Sequence, residues 1–129
     1  MSDQSVIISK SEENPAIAIV KINRPKQYNS LTVDVLDGLI DAAEKIAIDE
    51  SIRAVILTGE GGFFSSGADF SLFAGAMNEK STTKSRIVGA KGAKMCDAWE
   101  ALPQPTFVAV EGGVVGGALA VAMACDFRI

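Results

Sequence analysis

The sequence predicts an α/β fold, and three observations carry that prediction. Residues 53–58 (RAVILT) and 106–110 (TFVAV) are short apolar runs of the kind that become strands buried on both faces. Segments of helical periodicity lie between and after them. Each buried run leads into a glycine-rich loop and then a helix, the order in which α/β sheets are built.

The elements follow in order. Residues 6–9 and 16–22 alternate enough to read as two strands, with Glu13-Asn14-Pro15 turning between them as a hairpin. Asn23-Arg24-Pro25-Lys26 breaks the pattern. Thr32 is the expected N-cap of a helix, with Asp34 and Asp37 suited to its positive end. Val33, Leu36, Leu39/Ile40, Ala43 and Ile46/Ala47 recur at helical spacing to residue 48. After the strand at 53–58 comes the loop GEGGFFSSGADF. Residues 85–102 predict a second helix with Ile87/Val88, Met95, Trp99 and Leu102 on one side, stopped by Pro103 and Pro105. The strand at 106–110, a loop at 112–117, a helix at 118–124 and the start of a strand at 126–129 complete the chain.

At 129 residues, 48% hydrophobic and 22% charged, the chain fits one small globular domain. A net charge of −4 argues against a general nucleic-acid surface. The uncharged run at 112–125 is too short and too rich in glycine to span a bilayer. The start Met1-Ser2-Asp3-Gln4 has no basic stretch followed by an apolar one, so a cytoplasmic protein without membrane contact is expected. Cys96 and Cys125 lack metal spacing and read as reduced, buried thiols. The chain has no histidine, which removes Ser-His-Asp and Cys-His catalysis and the usual zinc sites. No metal is expected, so chemistry must use carboxylates, backbone amides or a cofactor.

The two glycine loops are the candidates for that chemistry. Ligands of open α/β sheets bind beyond the carboxyl ends of strands, where both loops lie. Glycine lets backbone amides approach a ligand closely, and a following helix offers unpaired amides and a positive dipole end. Two such loops can aim two N–H groups at one oxygen as an oxyanion hole. Other readings fail on spacing: Val114 occupies the second glycine of G-x-G-x-x-G, and Ala118-Leu119 stands where a P-loop needs Lys-Ser/Thr. G-x-S-x-G is absent around Ser65 and Ser66. Tight turns and close helix–sheet packing remain the structural alternative for each loop. Lys80, Lys84, Arg86, Lys91 and Lys94 lie between Glu79 and Asp97 without an acid, either a field that steers an anion or a solvated face.

Three segments, "INRPKQYNSLT", "AVILTGEGGFFSSGADF" and "PTFVAVEGGVVGGALAVAMACDFRI", occur in an order that resembles the crotonase superfamily of enoyl-CoA hydratases and isomerases. The resemblance runs from Val6 to Ile129 and implies a crotonase-like (ClpP/crotonase) fold of repeated ββα units, of which this chain is the N-terminal part. It implies an acyl-CoA substrate, a thioester enolate held by two backbone amides, and coenzyme A as part of the substrate rather than as a cofactor. Carried over, the two donors are the N–H groups of Ala68 and Gly117. Ser66, Ala68, Asp69, Phe70, Gly116 and Gly117 would bind the acyl-CoA, Ala68 to Phe70 meeting its adenine and pantetheine, and Arg24 and Lys26 would lie near its phosphates. A homotrimer or hexamer is expected by the same resemblance.

The chain departs from that pattern in one informative place. Water-adding members carry a glutamate on the last helix three residues after the oxyanion glycine, and that position is Ala120 here. An alanine cannot serve as acid or base, so a double-bond isomerase is favoured over a hydratase, with the base drawn from beyond Ile129. Other crotonase reactions (lyase, dehalogenase, decarboxylase) and a non-catalytic acyl-CoA-binding module are the alternatives. Among the acids present, Glu111 reads as a turn or solvent residue and Asp69 as a cap of the helix after its loop. Asp126 is expected to close a helix or pair with Arg128. None of the three is assigned as catalytic.

Overall fold

The computed structural model describes residues 4–74 and 82–129. The elements are β1 (Val6–Lys10), β2 (Ile17–Ile22), α1 (Val33–Ala47), β3 (Ala54–Gly59), α2 (Thr82–Glu100), β4 (Thr106–Val108), α3 (Gly117–Ala124) and β5 (Phe127–Arg128). They form one sheet in the order β1-β2-β3-β4-β5. Only β1 and β2 pair antiparallel; the other neighbours are parallel. The hairpin closes as expected, with the Asn14 side chain accepting the Ala16 N–H at 3.0 Å. Parallel pairing obliges a crossover between strands, which α1, α2 and α3 supply.

Between β3 and the helical turn at residues 71–74, and again between β4 and α3, the chain makes single-residue bridges. Leu31 pairs with Ala68 and Ser65 with Val114, both parallel. These bridges serve as much-shortened second strands, so each unit reads as ββα. They also bind the two glycine loops to each other and to the segment before α1.

Burial of β3 and β4 explains their unbroken apolar runs: Val55, Leu57 and Val108 are fully buried. Thr32 caps α1 as its side chain accepts the Val35 N–H at 3.3 Å, satisfying one of the free amides of the first turn. α1 then turns Val35, Leu39 and Ile46 into the core. Met95 and Trp99 of α2 meet them, and the Trp99 indole N–H donates to the Leu39 carbonyl at 3.1 Å. Burying such side chains stabilises by about 1.5–3 kcal/mol each.

Two local expectations need correction. Ile87 does not share the buried side of α2; it is 59% exposed, because the core contacts of α2 come from its C-terminal part, where Met95 and Trp99 lie. Asp126 neither closes α3 nor pairs with Arg128. Its carboxylate accepts the Thr106 N–H at 2.9 Å, fixing the start of β4 to the end of α3. Arg128 does the closing, donating to the carbonyls of Ala122 and Cys125 at 3.3 and 2.9 Å, where a cation suits the negative end of the helix.

Candidate active site

The first glycine loop is fixed by main-chain geometry. Leu31 donates its N–H to the Gly67 carbonyl at 2.8 Å, and Asp69 donates to the Leu31 carbonyl at 2.8 Å. The described backbone has no cis peptide. In a planar trans peptide the C=O and N–H point opposite ways. With the Gly67 carbonyl directed at Leu31, the Ala68 N–H is therefore directed away from it. Gly67 has φ +88°, and a Cβ there would lie 2.5 Å from the Val115 carbonyl oxygen. Glycine is thus required where the two loops touch.

The second loop ends at Gly116, with φ 57° and ψ −121°, which caps α3 without a side-chain hydrogen bond. Gly117 is the first residue of the helix, where amides have no intrahelical partner. Ala118 and Ala120 donate back to Val115 and Gly116 at 3.1 and 3.0 Å. Among the described residues, neither the Ala68 N–H nor the Gly117 N–H donates a hydrogen bond. Ala68 and Gly117 line one cavity of about 510 Å³, together with Leu31, Leu72, Val88, Cys96 and Ala120. No charged side chain lines it among the described residues.

The chain as a whole resembles known proteins. A family model described as enoyl-CoA hydratase/isomerase matches residues 12–129. The chain belongs to the enoyl-CoA hydratase/isomerase family. It is 36% identical to a crotonyl-CoA hydratase of Syntrophomonas wolfei over 100% of this chain and 47% of that protein. It is 40% identical to a short-chain-enoyl-CoA hydratase of Clostridium acetobutylicum over 92% of this chain and 44% of that protein. A solved enoyl-CoA hydratase from Bacillus anthracis superposes with a TM-score of 0.88 at 31% identity, over 97% of this chain and 46% of that one. The fold is therefore crotonase-like, and the chain spans under half the length of these relatives.

The other expected site residues of this family member are placed unevenly. Gly116 adjoins Gly67, its Cα 3.8 Å from where a Cβ on Gly67 would lie. Arg24 is turned inward: its Nη1 reaches the Ser30 carbonyl and hydroxyl at 2.9 and 2.6 Å and the Asp69 carboxylate at 3.3 Å. Asp69 caps the following turn as expected, accepting the Ser71 N–H at 2.9 Å. The Ser30 hydroxyl, then the Ser71 amide and hydroxyl, and last Arg24 hold its carboxyl well below the usual carboxylate range. Lys26 is exposed on a short turn at Pro25–Gln27, Ser66 is exposed with its N–H on the Tyr28 carbonyl at 2.9 Å, and Phe70 is exposed.

Two cations of the basic run are answered by acids. Lys91 pairs with Asp37 at 2.7 Å and Lys94 with Glu44 at 3.7 Å, joining α2 to α1. Lys80 lies outside the described residues. Cys125 is buried, and burial pushes its thiol up to about 11. Cys96 is only half-buried and faces the cavity, in contrast to the buried thiol expected; burial, then Asp97 and Glu100, raise it too.

Asn29, Ser65 and Phe63 take structural roles that were not read from their sequence context. Asn29 is fully buried at φ 52°; its side chain accepts the Arg24 N–H at 2.8 Å and donates to the carbonyls of Glu60 and Phe63. The Ser65 hydroxyl donates to the Asn29 carbonyl at 2.7 Å and accepts the Gly67 N–H at 3.1 Å. The Phe63 ring fills the space where a Cβ on Gly112 or Gly113 would lie. An asparagine after a proline-led turn was the available signal, since Asn tolerates positive φ better than other non-glycine residues.

Proposed function

We propose that this chain supplies the enolate-stabilising side of an acyl-CoA enzyme. The Ala68 and Gly117 N–H groups donate to the thioester oxygen as negative charge develops there, and the start of α3 adds its dipole. One observation carries this reading: two amides without partners belong to residues lining one cavity that holds no charged side chain among the described residues. In so apolar a setting a developing oxyanion gains more from two donors than it would in water. An uncharged, apolar acyl group suits the remaining walls. The names of the relatives, crotonyl-CoA hydratase and short-chain-enoyl-CoA hydratase, support an acyl-CoA substrate.

On the reaction itself, two observations point in different directions. Ala120 lines the cavity and leaves this chain without a carboxylate there among the described residues. That favours a double-bond shift, which needs one base, taken from chain beyond Ile129. Hydration is the second reading, and the relatives' names favour it. The test gives the complete protein a 3-enoyl-CoA and a 2-enoyl-CoA in turn. A double-bond shift makes conjugated thioester from the first. Hydration consumes the conjugated thioester of the second. Measurable CoA-thioester binding with neither reaction would leave a binding module.

A further inference from the structure

We infer that Arg24, Ser30 and Asp69 form a clamp that aims the Ala68 N–H and offsets the carboxylate beside it. They are positioning residues, and the inference rests on the proposed role of Ala68. The direction of the Ala68 N–H depends on the Leu31-to-Gly67 hydrogen bond, because one planar peptide carries both the Gly67 carbonyl and the Ala68 amide. Ser30 and Asp69 are the residues next to that Leu31–Ala68 bridge on its two sides. The Ser30 hydroxyl donates to Asp69 Oδ2 at 2.6 Å, so a side-chain bond runs alongside the two main-chain bonds. Arg24 closes the set from one nitrogen, reaching the Ser30 carbonyl, the Ser30 hydroxyl and Asp69. The ion pair is mostly covered, each side chain 23% exposed.

The charge balance gives the clamp its second role. Asp69 follows the amide that would face a growing negative charge, and a carboxylate there opposes that charge. Arg24 offsets it at 3.3 Å. All three contacts come from Nη1, so the clamp occupies one arm of the guanidinium, a role distinct from the phosphate contact expected for Arg24 from the sequence.

The test uses the complete protein with wild type, Asp69→Asn, Ser30→Ala, Arg24→Gln and Arg24→Lys. It reads kcat, the dissociation constant of CoA, and the infrared carbonyl stretch of a bound, isotope-labelled acyl-CoA. Wild-type protein that neither binds nor turns over acyl-CoA overturns the proposed function as well. With wild type active, Asp69→Asn and Arg24→Gln should lower kcat by about tenfold or more, since misaiming a reacting contact is costly. They should also shrink the downward shift of the carbonyl stretch while leaving CoA affinity unchanged. Arg24→Lys should recover part of the loss. Ser30→Ala removes one hydroxyl and reports the same shift if a charge variant does not fold. Arg24 variants that weaken CoA binding with steep salt dependence and leave kcat intact would identify a phosphate ligand and overturn the clamp. An unaltered carbonyl shift overturns it as well, whatever happens to stability.

Discussion

The two glycine loops contain similar residues but are held by different means. The first, between β3 and the turn at residues 71–74, is fastened by side chains. Asn29 binds two of its carbonyls, Ser65 spans from Asn29 to Gly67, and Asp69 is tied to Ser30 and Arg24. The second, between β4 and α3, is shaped by backbone and by one aromatic ring. Gly112 and Gly113 yield space to Phe63, and Gly116 enters α3 with no side-chain cap. Hence the amide at 68 owes its direction to a hydrogen-bond network spread over 45 residues, and the amide at 117 to the start of a helix. The first is sensitive to side-chain changes far away in sequence. The second is sensitive to the conformation of one glycine.

The largest expected effect comes from deleting a donor without disturbing its loop. Gly117→Pro does this, because the first helical position tolerates proline and its N–H has no partner among the described residues. Among the described residues, the added Cβ meets the end of the flexible Leu31 side chain at 3.1 Å. In the complete protein kcat should fall by about 10²–10³ with little change in Tm. A kcat within a few-fold of wild type would remove the Gly117 amide from the chemistry and leave the second loop as a structural corner.

A pair of substitutions then tests the contrast in how the loops are held. Asn29→Ala leaves the Arg24 amide and the Glu60 and Phe63 carbonyls without their partner inside the protein, a cost of about 3 kcal/mol. Gly116→Ala asks an L-residue to hold φ 57° and ψ −121°, at about 1–3 kcal/mol, with no neighbour within 4 Å to clash among the described residues. Both should appear as lowered midpoints in urea. Ser65→Ala should add little to Asn29→Ala, since the two share one network, but should add fully to Gly116→Ala. Equal additivity in both combinations would show that the loops are held as one unit, and the contrast would break.

Much of this architecture was legible in the sequence, and the boundary of legibility is physical. Apolar runs and helical periods report burial directly, so the strands at Ala54–Gly59 and Thr106–Val108 and the cap at Thr32 were readable from neighbours in sequence. The glycine loops were readable as strand-to-helix turns for the same reason. Partners of side chains were not. Arg24 reads as a free cation next to Lys26 because its counter-charge lies 45 positions away at Asp69, and Asp126 was misjudged because Thr106 is 20 positions distant. The same holds for Lys91 and Lys94, whose counter-charges sit on α1. Local composition reveals which residues are charged; only the sheet order brings their partners within reach.

The smallest expected effect concerns pH and belongs to the first loop alone. The folded chain holds the Asp69 carboxyl below its ordinary value of 3.8, through the Ser30 hydroxyl first and the Ser71 amide next. A carboxyl depressed by folding contributes stability above its unfolded value, and that contribution is lost as pH falls below it toward the folded value. Asp69→Asn should therefore be less stable than wild type near neutral pH. The gap between the two should narrow as pH is lowered from about 4 toward 2, because protonation begins to remove from wild type the ion that the variant already lacks. Gly116→Ala changes no titrating group, so its gap from wild type should stay constant over the same range. Urea midpoints of the three proteins between pH 2 and 7 read this directly. A constant gap for Asp69→Asn would mean that its hydrogen bonds hold the neutral acid as well as the ion, and that charge has no part in fastening the first loop.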